Sequence, residues 1–292
     1  PGLRGGIMPR TIVPINPMKL MTSADLAGFP RPPADVRIHY GDESLQFGDL
    51  RLPAGEGPHP VAIFIHGGCW KADHDISHTN KLTTALAKSG IATWSLEYRR
   101  VGNEGGGWPG TFTDIGSGAD HLRTIADTYS LDLTRVIAMG HSAGGHLALW
   151  LAARSKIPAD VAIGMNDPIS MRGVLAMAPA ADLAYLYGTE VCDHVIAGLM
   201  GGSPDEVPER YQWADTAQIG PDSIPQLLLF GKYDDDWNPA GERYLEAARQ
   251  RGDDVSTIVA EASGHFEMID PESSTWPLVL AAARKMTGAV QS

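Results

Sequence analysis

Val136-Ile137-Ala138-Met139-Gly140-His141-Ser142-Ala143-Gly144-Gly145 is the stretch on which the reading of this chain turns. Its four leading apolar residues read as a buried strand, and a Gly-His-Ser-Ala-Gly turn ends that strand abruptly. From His146 to Arg154 the sequence is rich in good helix formers. The order strand, G-x-S-x-G, helix is the context a nucleophile elbow requires. A sharp turn from strand into helix crowds the backbone around its central residue, so Gly140 and Gly144 flank Ser142 two positions to either side. Such a turn lifts the serine hydroxyl clear of the sheet, near helix N–H groups that can stabilise negative charge. Glycine is common here, 33 of 292 residues, so a chance G-x-S-x-G is the bland alternative. The flanking buried strand and apolar helix argue against it.

The bulk numbers narrow the partners. A chain of 292 residues can bury one large core. Its net charge of -12, with no Lys/Arg cluster to offset it, would repel a phosphate backbone, so nucleic acid is excluded as a partner. Two cysteines, Cys69 and Cys192, make neither a disulfide framework nor a C-x-x-C pair, which favours a reducing compartment. The sequence has no basic start followed by an apolar core, and no apolar run of membrane-spanning length. The expectation is a soluble, cytoplasmic protein with no membrane partner, compatible with a homodimer. Residues before Met8 read as extraneous to the domain.

Taken in order, residues 1–35 form a proline-rich arm (Pro9, Pro14, Pro17, Pro30, Pro32, Pro33), lying over the domain either as a tail or as a flap over the site. Val36 to Tyr40 and Leu45 to Leu52 alternate apolar and polar about Gly41-Asp42, which predicts a hairpin with one wet face. Val61 to Ile65 is continuous and β-branched, as a strand buried on both faces should be. A helix near Asn80 to Ser89 and a strand from Ile91 to Leu96 come next. The Arg99–Thr111 loop is long and glycine-rich, and Asp114 to Thr128 reads as a helix. Beyond the elbow come strands at Val174–Ala178, Gln226–Phe230 and Val255–Val259, with helices at Ala240–Arg251 and Ser274–Met286. Strands alternating with helices imply right-handed crossovers and a mostly parallel sheet covered by helices on both faces. Residues 181–221 break the alternation and predict a small helical cap within a single domain of residues 36–292.

A serine at an elbow is inert until a base takes its proton and donors await the oxyanion. Both have candidates, in the chain order serine, acid, histidine. After the Gln226–Phe230 strand comes Gly231-Lys232-Tyr233-Asp234-Asp235-Asp236; Asp234 is the first choice of acid, Asp235 the second and Asp182 a distant third. Gly264-His265-Phe266 follows the last strand by a short loop, which lets His265 swing back over Ser142 as general base. His39, His59, His121, His141 and His194 have no such placement, and His146, inside the helix, reads as packing. His66-Gly67-Gly68-Cys69-Trp70 follows the first core strand. The N–H groups of Gly68 and Cys69, with that of Ala143, would form the oxyanion hole. Cys69 as a nucleophile has no base near it in sequence. Asp73, His74, Asp75 and His78 have metal-like spacing but read as a surface loop, and Gly105-Gly106-Gly107 lacks the register of a phosphate loop. No metal or cofactor is expected.

Together H-G-G-x-W (His66 to Trp70), G-H-S-A-G-G-H (Gly140 to His146), the acid turn (Gly231 to Asp236) and G-H-F (Gly264 to Phe266) resemble the α/β-hydrolase superfamily. They are similar, more narrowly, to its esterase branch containing the kynurenine formamidases and their bacterial relatives. The resemblance covers about Val36 to Met286. It implies an α/β-hydrolase fold, a triad of Ser142, Asp234 and His265, and an oxyanion hole on Gly68, Cys69 and Ala143. One departure is Trp237-Asn238-Pro239, which stands where the family has Val-Pro and leaves the acid open between Asp234 and Asp235. The expected activity is hydrolysis of a small carboxylic ester or aryl amide through an acyl-enzyme. An arylformamidase, or a non-catalytic small-molecule-binding protein on the same fold, is the alternative. Trp70, Trp108 and Trp237, with Tyr185 and Tyr187, lie near the predicted site loops, and the three tryptophans are candidates for substrate binding.

Overall fold

Alternation along one strand explains how the layers stack. In β3 (His59–Ile65), Val61, Ile63 and Ile65 enter one apolar cluster, and Ala62 and Phe64 enter the other. A strand buried on both faces needs helices on both, and the chain supplies them. The computed structural model describes residues 19–221 and 223–289. The eight strands are β1 (Val36–His39), β2 (Phe47–Arg51), β3, β4 (Ala92–Leu96), β5 (Leu131–His141), β6 (Val174–Met177), β7 (Gln226–Gly231) and β8 (Val255–Ala260). They form one sheet in the order β1-β2-β4-β3-β5-β6-β7-β8. Only β2 runs antiparallel to its neighbours; the other pairings are parallel. The chain has the α/β-hydrolase fold.

Helix α1 (Asn80–Lys88) and α9 (Trp276–Thr287) cover one face, with Leu82, Leu86, Val279 and Ala283 packed on Phe64, Ile137 and Met139. The other face holds α2 (Gly110–Asp120), α3 (Leu122–Ile125), α4 (Ala143–Ala153) and α8 (Asn238–Arg251), with Phe112, Leu122, Trp150 and Tyr244 in the larger cluster. Every residue of α4 is buried, as expected of a helix apolar on all sides. The helix read as one from Asp114 to Thr128 is thus two: it begins earlier, at Gly110, and breaks at His121.

The first hairpin departs from expectation. It was expected to keep one face wet; β1 does so, with Arg37 and His39 exposed, yet all five residues of β2 are buried, Asp49 and Arg51 included. Arg37 pairs with Asp49 at 2.7 Å, while Arg51 donates to the Pro32 carbonyl at 3.0 Å and to Thr84 on α1 at 3.2 Å. Chain from outside the hairpin covers the polar face, which local alternation does not register. Residues 1–18, with Pro9, Pro14, Pro17 and the stretch before Met8, lie outside the described residues. The remainder of the expected arm makes a short 3-10 turn (Ser23–Gly28), with Leu26 in the α1/α9 cluster and the Met21 N–H bonded to Glu267 at 2.5 Å.

Residues 181–221 hold α5 (Leu183–Tyr187), a 3-10 turn (Val191–His194), α6 (Val195–Met200) and α7 (Pro208–Ala214). Asp215, buried, braces this insertion by accepting the N–H groups of Leu183, Ala184 and Ala217. Burial and the nearby charge of Asp182 raise its pKa to about 6. Among the described residues, no helix is long and apolar enough to cross a membrane.

Candidate active site

Steric crowding at the turn after β5 is severe. A Cβ on Gly140 would lie 2.0 Å from the Gly144 carbonyl oxygen, and one on Gly144 would lie 2.1 Å from that of Ile65. No side chain fits at either place, so the sheet, the elbow and α4 approach as closely as they do only because both residues are glycine. Ser142 sits between them at φ 57 and ψ -122, a strained conformation for a residue with a side chain. Its N–H donates to the Met177 carbonyl at 2.9 Å, and its own carbonyl accepts from Gly145 and Ala180. Backbone pairing from β6 and α4 thereby holds the strain. Ala143 then opens α4, where N–H groups have no acceptor within the helix.

The end of β7 delivers Asp234 and the loop after β8 delivers His265, their side chains joined Nδ1 to Oδ2 at 2.7 Å. Asp235 is exposed and Asp234 buried. Asp182 is occupied elsewhere, capping α5 through the Tyr185 N–H and pairing with Arg243 at 2.7 Å. Of the three acids considered, Asp234 is the one hydrogen-bonded to His265. Burial holds the His265 ring well below the ordinary imidazole range, at about 3, opposed by Asp236. Burial lifts Asp234 to about 7, with His141 opposing and Asp236 adding to the rise. Ser142 and His265 line one cavity of about 620 Å³, together with Gly68, Cys69, His141 and Trp237.

His141 was passed over in the sequence. Its Nε2 meets the backbone carbonyl of His265 at 2.8 Å, and the two rings lie 4.6 Å apart. Burial lowers its pKa to about 3, so the ring is neutral and the nitrogen facing that carbonyl is the protonated donor. The Trp237 ring also stacks on His265, with centroids 5.1 Å apart. Phe266 adds a third aromatic neighbour at 4.9 Å, and these rings, with the Asp234 hydrogen bond, fix the imidazole in place. A signal for His141 did exist, since residues beside the nucleophile must face the same rim.

Beneath the H-G-G-x-W loop lies a buried polar cluster. His66 Nε2 reaches Glu97 at 3.2 Å, Arg100 pairs with the same carboxylate, and the Ile76 N–H donates to it at 3.0 Å. Tyr98 Oη donates to the His66 carbonyl at 2.9 Å, and the Tyr98 ring stacks on that of His66. Burial opposes ionisation of Glu97, but His66, Arg100 and the Ile76 N–H together bring its pKa down to about 2. The loop above passes close to the elbow: a Cβ on Gly67 would stand 2.7 Å from the His141 carbonyl oxygen. Gly68 follows at φ 107.

The aromatic expectations divide. Trp237 lines the cavity, whereas Trp70 is buried against His146 and Trp108 packs on Phe112, neither of them lining it. Tyr185 lies under Arg243, outside the cavity, as does Tyr187. The surface loop expected after Trp70 is present, with Asp73, His74 and Asp75 exposed, but His78 is buried, and both His74 and His78 line the cavity. His78 Nδ1 bonds the Asp75 carbonyl at 2.6 Å. Among the described residues, no three of His, Cys, Asp and Glu are grouped as a metal site requires. His146 bonds the Ala214 carbonyl at 2.8 Å and ties α4 to the cap.

The cysteines also depart from expectation. Cys69 and Cys192 form a disulfide across 123 residues, with Cα atoms 5.7 Å apart. A sulfur so engaged is no nucleophile, which removes the Cys69 alternative. The reduced state expected of the pair is corrected with it.

An eight-stranded sheet with a serine elbow and an insertion after β6 defines an α/β-hydrolase. The chain belongs to the BD-FAE family, whose model matches residues 49–247. Among curated proteins it is 24% identical over 181 residues to Esterase LipC of Mycobacterium tuberculosis, covering 61% of this chain and 37% of that one. It is 31% identical over 112 residues to the isoprenylcysteine alpha-carbonyl methylesterase ICME of Arabidopsis thaliana, covering 38% of this chain and 26% of that one. The chain thus spans well under half the length of either relative. Esterase B from Lactobacillus rhamnosis superposes with a TM-score of 0.76 at 20% identity, over 91% of this chain and 90% of that one. A truncated carbohydrate esterase from gut microbiota superposes with a TM-score of 0.71 at 16% identity, over 88% and 99%.

Proposed function

We propose that the protein is a serine hydrolase of small carboxylic esters, with Ser142 as nucleophile, His265 as general base and Asp234 as its orienting acid. The observation that carries this reading is the 2.7 Å His265–Asp234 hydrogen bond at a cavity whose wall also holds a strained elbow serine. Esterase names among the relatives support it. In acylation, His265 Nε2 takes the Ser142 hydroxyl proton as Oγ attacks the ester carbonyl. The resulting oxyanion is received by the N–H groups of Gly68, Cys69 and Ala143. His265 returns the proton to the departing alcohol, leaving an acyl-serine, and a water molecule then repeats the sequence to release the acid. Trp237, against His265, presents an aromatic wall to the substrate.

A substrate panel tests the class. Turnover of p-nitrophenyl acetate and butyrate exceeding that of N-formylkynurenine is the expected result. Turnover of the formamide alone would move the reading to an arylformamidase. Absence of turnover on all three, with no labelling of Ser142 by a fluorophosphonate, would leave the non-catalytic binding protein.

The pH profile follows from the acid–base pair. The competent form has Asp234 ionised and His265 neutral. Asp234 is raised to about 7, and His265 is lowered, so the proton that must leave the pair does so near neutrality. The value of kcat/KM should therefore rise with pH through about 7 and level off above it. A profile already flat between pH 5 and 8, measured with a pH-independent ester, would contradict the assignment.

A further inference from the structure

The Cys69–Cys192 bridge joins two pieces of backbone that are each held in an unfavourable conformation. Gly68, Cys69 and Trp70 have φ of 107, 55 and 52, and Cys192, Asp193 and His194 have φ of 57, 53 and 57. Five of these six residues carry side chains, and such residues keep left-handed backbone only when their surroundings impose it. On the loop side the restraints are several. Trp70 is buried, its carbonyl accepts the Val101 N–H at 2.8 Å, and the Lys71 N–H donates to Gly68 at 3.0 Å. The cap turn is held differently. Asp193 N–H to Glu190 and Val195 N–H to Cys192 are bonds internal to the turn. Toward the loop it has the disulfide and the 2.6 Å Lys71–Asp193 ion pair, whose carboxylate is 92% exposed. An ion pair so wet restrains little. Both cysteines are half-buried, and both line the cavity that holds Ser142 and His265.

We propose that this bridge is a positioning element for catalysis: it fixes the Gly68–Cys69 segment against the cap wall formed by Glu190 to Asp193, and its reduction lowers turnover. This rests on the hydrolase reading given above, in which Gly68 and Cys69 supply N–H groups to the oxyanion. Donors of this kind are effective only when fixed before charge develops. A dithiol supplies the electrons. One of its thiolates attacks a bridge sulfur to give a mixed disulfide, and its second displaces the cysteine, leaving two protein thiols and a cyclic disulfide of the reagent.

The test uses the purified full chain before and after dithiothreitol, with iodoacetamide labelling and mass spectrometry to count free thiols. Reduction should lower kcat on p-nitrophenyl acetate by about ten- to a hundredfold, because a misplaced donor loses part of its effect. The far-UV circular dichroism should be unchanged, and kcat should recover on reoxidation. The Cys192→Ser protein should match the reduced wild type. Unchanged kcat and KM with both cysteines alkylated would overturn the proposal while leaving the hydrolase reading intact. So would a fall in kcat that appears only with loss of the dichroism signal, or two free thiols before any reductant. An oxidised protein that neither turns over esters nor reacts with a fluorophosphonate would remove the underlying reading itself.

Discussion

Ser142→Ala protein should turn over p-nitrophenyl acetate roughly a millionfold more slowly than wild type, since a triad of the proposed kind acts as a unit and loses nearly everything with its nucleophile. What remains should be the contribution of the oxyanion donors and of binding. The substitution is a clean one. Alanine keeps a Cβ, so the elbow retains the same backbone strain at φ 57 and ψ -122, and only a hydroxyl is removed from a buried position. The melting temperature should move little. Stoichiometric labelling by a fluorophosphonate, present in the wild type, should vanish. A variant that hydrolyses the ester at the wild-type rate would sink the assignment of Ser142, whatever the fold.

The second large effect is on stability. Glu97→Ala should cost about 3–5 kcal/mol in urea unfolding, because it leaves the Arg100 guanidinium buried without its counter-charge. Arg100 and Glu97 are both almost wholly inaccessible to solvent, so water cannot take the place of the lost carboxylate. The N–H groups of Ile76 and Tyr98 lose their acceptor as well. The effect has a sign in pH. His66, Arg100 and the Ile76 N–H, outweighing burial, lower Glu97 from 4.5 to about 2. A depressed carboxyl pKa contributes stability that is complete above the unfolded value and disappears as pH falls toward the folded one. The difference between wild type and variant should therefore be full at pH 6 and shrink below about 4.5. A loss under 1 kcal/mol at pH 6, where surface substitutions usually fall, would refute the role given to this cluster.

The parts of the structure legible in sequence are those decided locally. Gly140 and Gly144 announce the elbow because a Cβ at either would stand only 2.0 or 2.1 Å from a carbonyl oxygen. The run Val61 to Ile65 announces a central strand because burial on both faces leaves no polar position. Choosing among acids was harder. Asp234 and Asp235 are adjacent in the turn, and only its path into the helix that follows turns one inward and leaves the other in water. The aromatic residues failed for a related reason. Trp70 stands next to Gly68 and Cys69 in sequence, yet a run of positive φ from Gly68 to Trp70 accompanies its turn into the core, away from the cavity. The polar face of β2 is covered by Pro32 and Thr84, and the disulfide partners are 123 residues apart. Both depend on the assembled topology, which no local pattern encodes.

One arrangement bears on how such a chain can change over generations. The cap leaves the sheet after β6 and returns at β7, and these strands are hydrogen-bonded neighbours, with Val174 opposite Gln226. The two strands run parallel, so the insertion leaves at the Met177 end of the pair and returns at the Gln226 end, about 10 Å back along the strands. Lengthening a segment between fixed ends adds only slowly to its closure entropy, about 0.6 kcal/mol per doubling. The insertion can be exchanged like a cassette while the strands beneath keep their register, so the cavity wall that Glu190 to Asp193 supply can be remade without a new scaffold being invented.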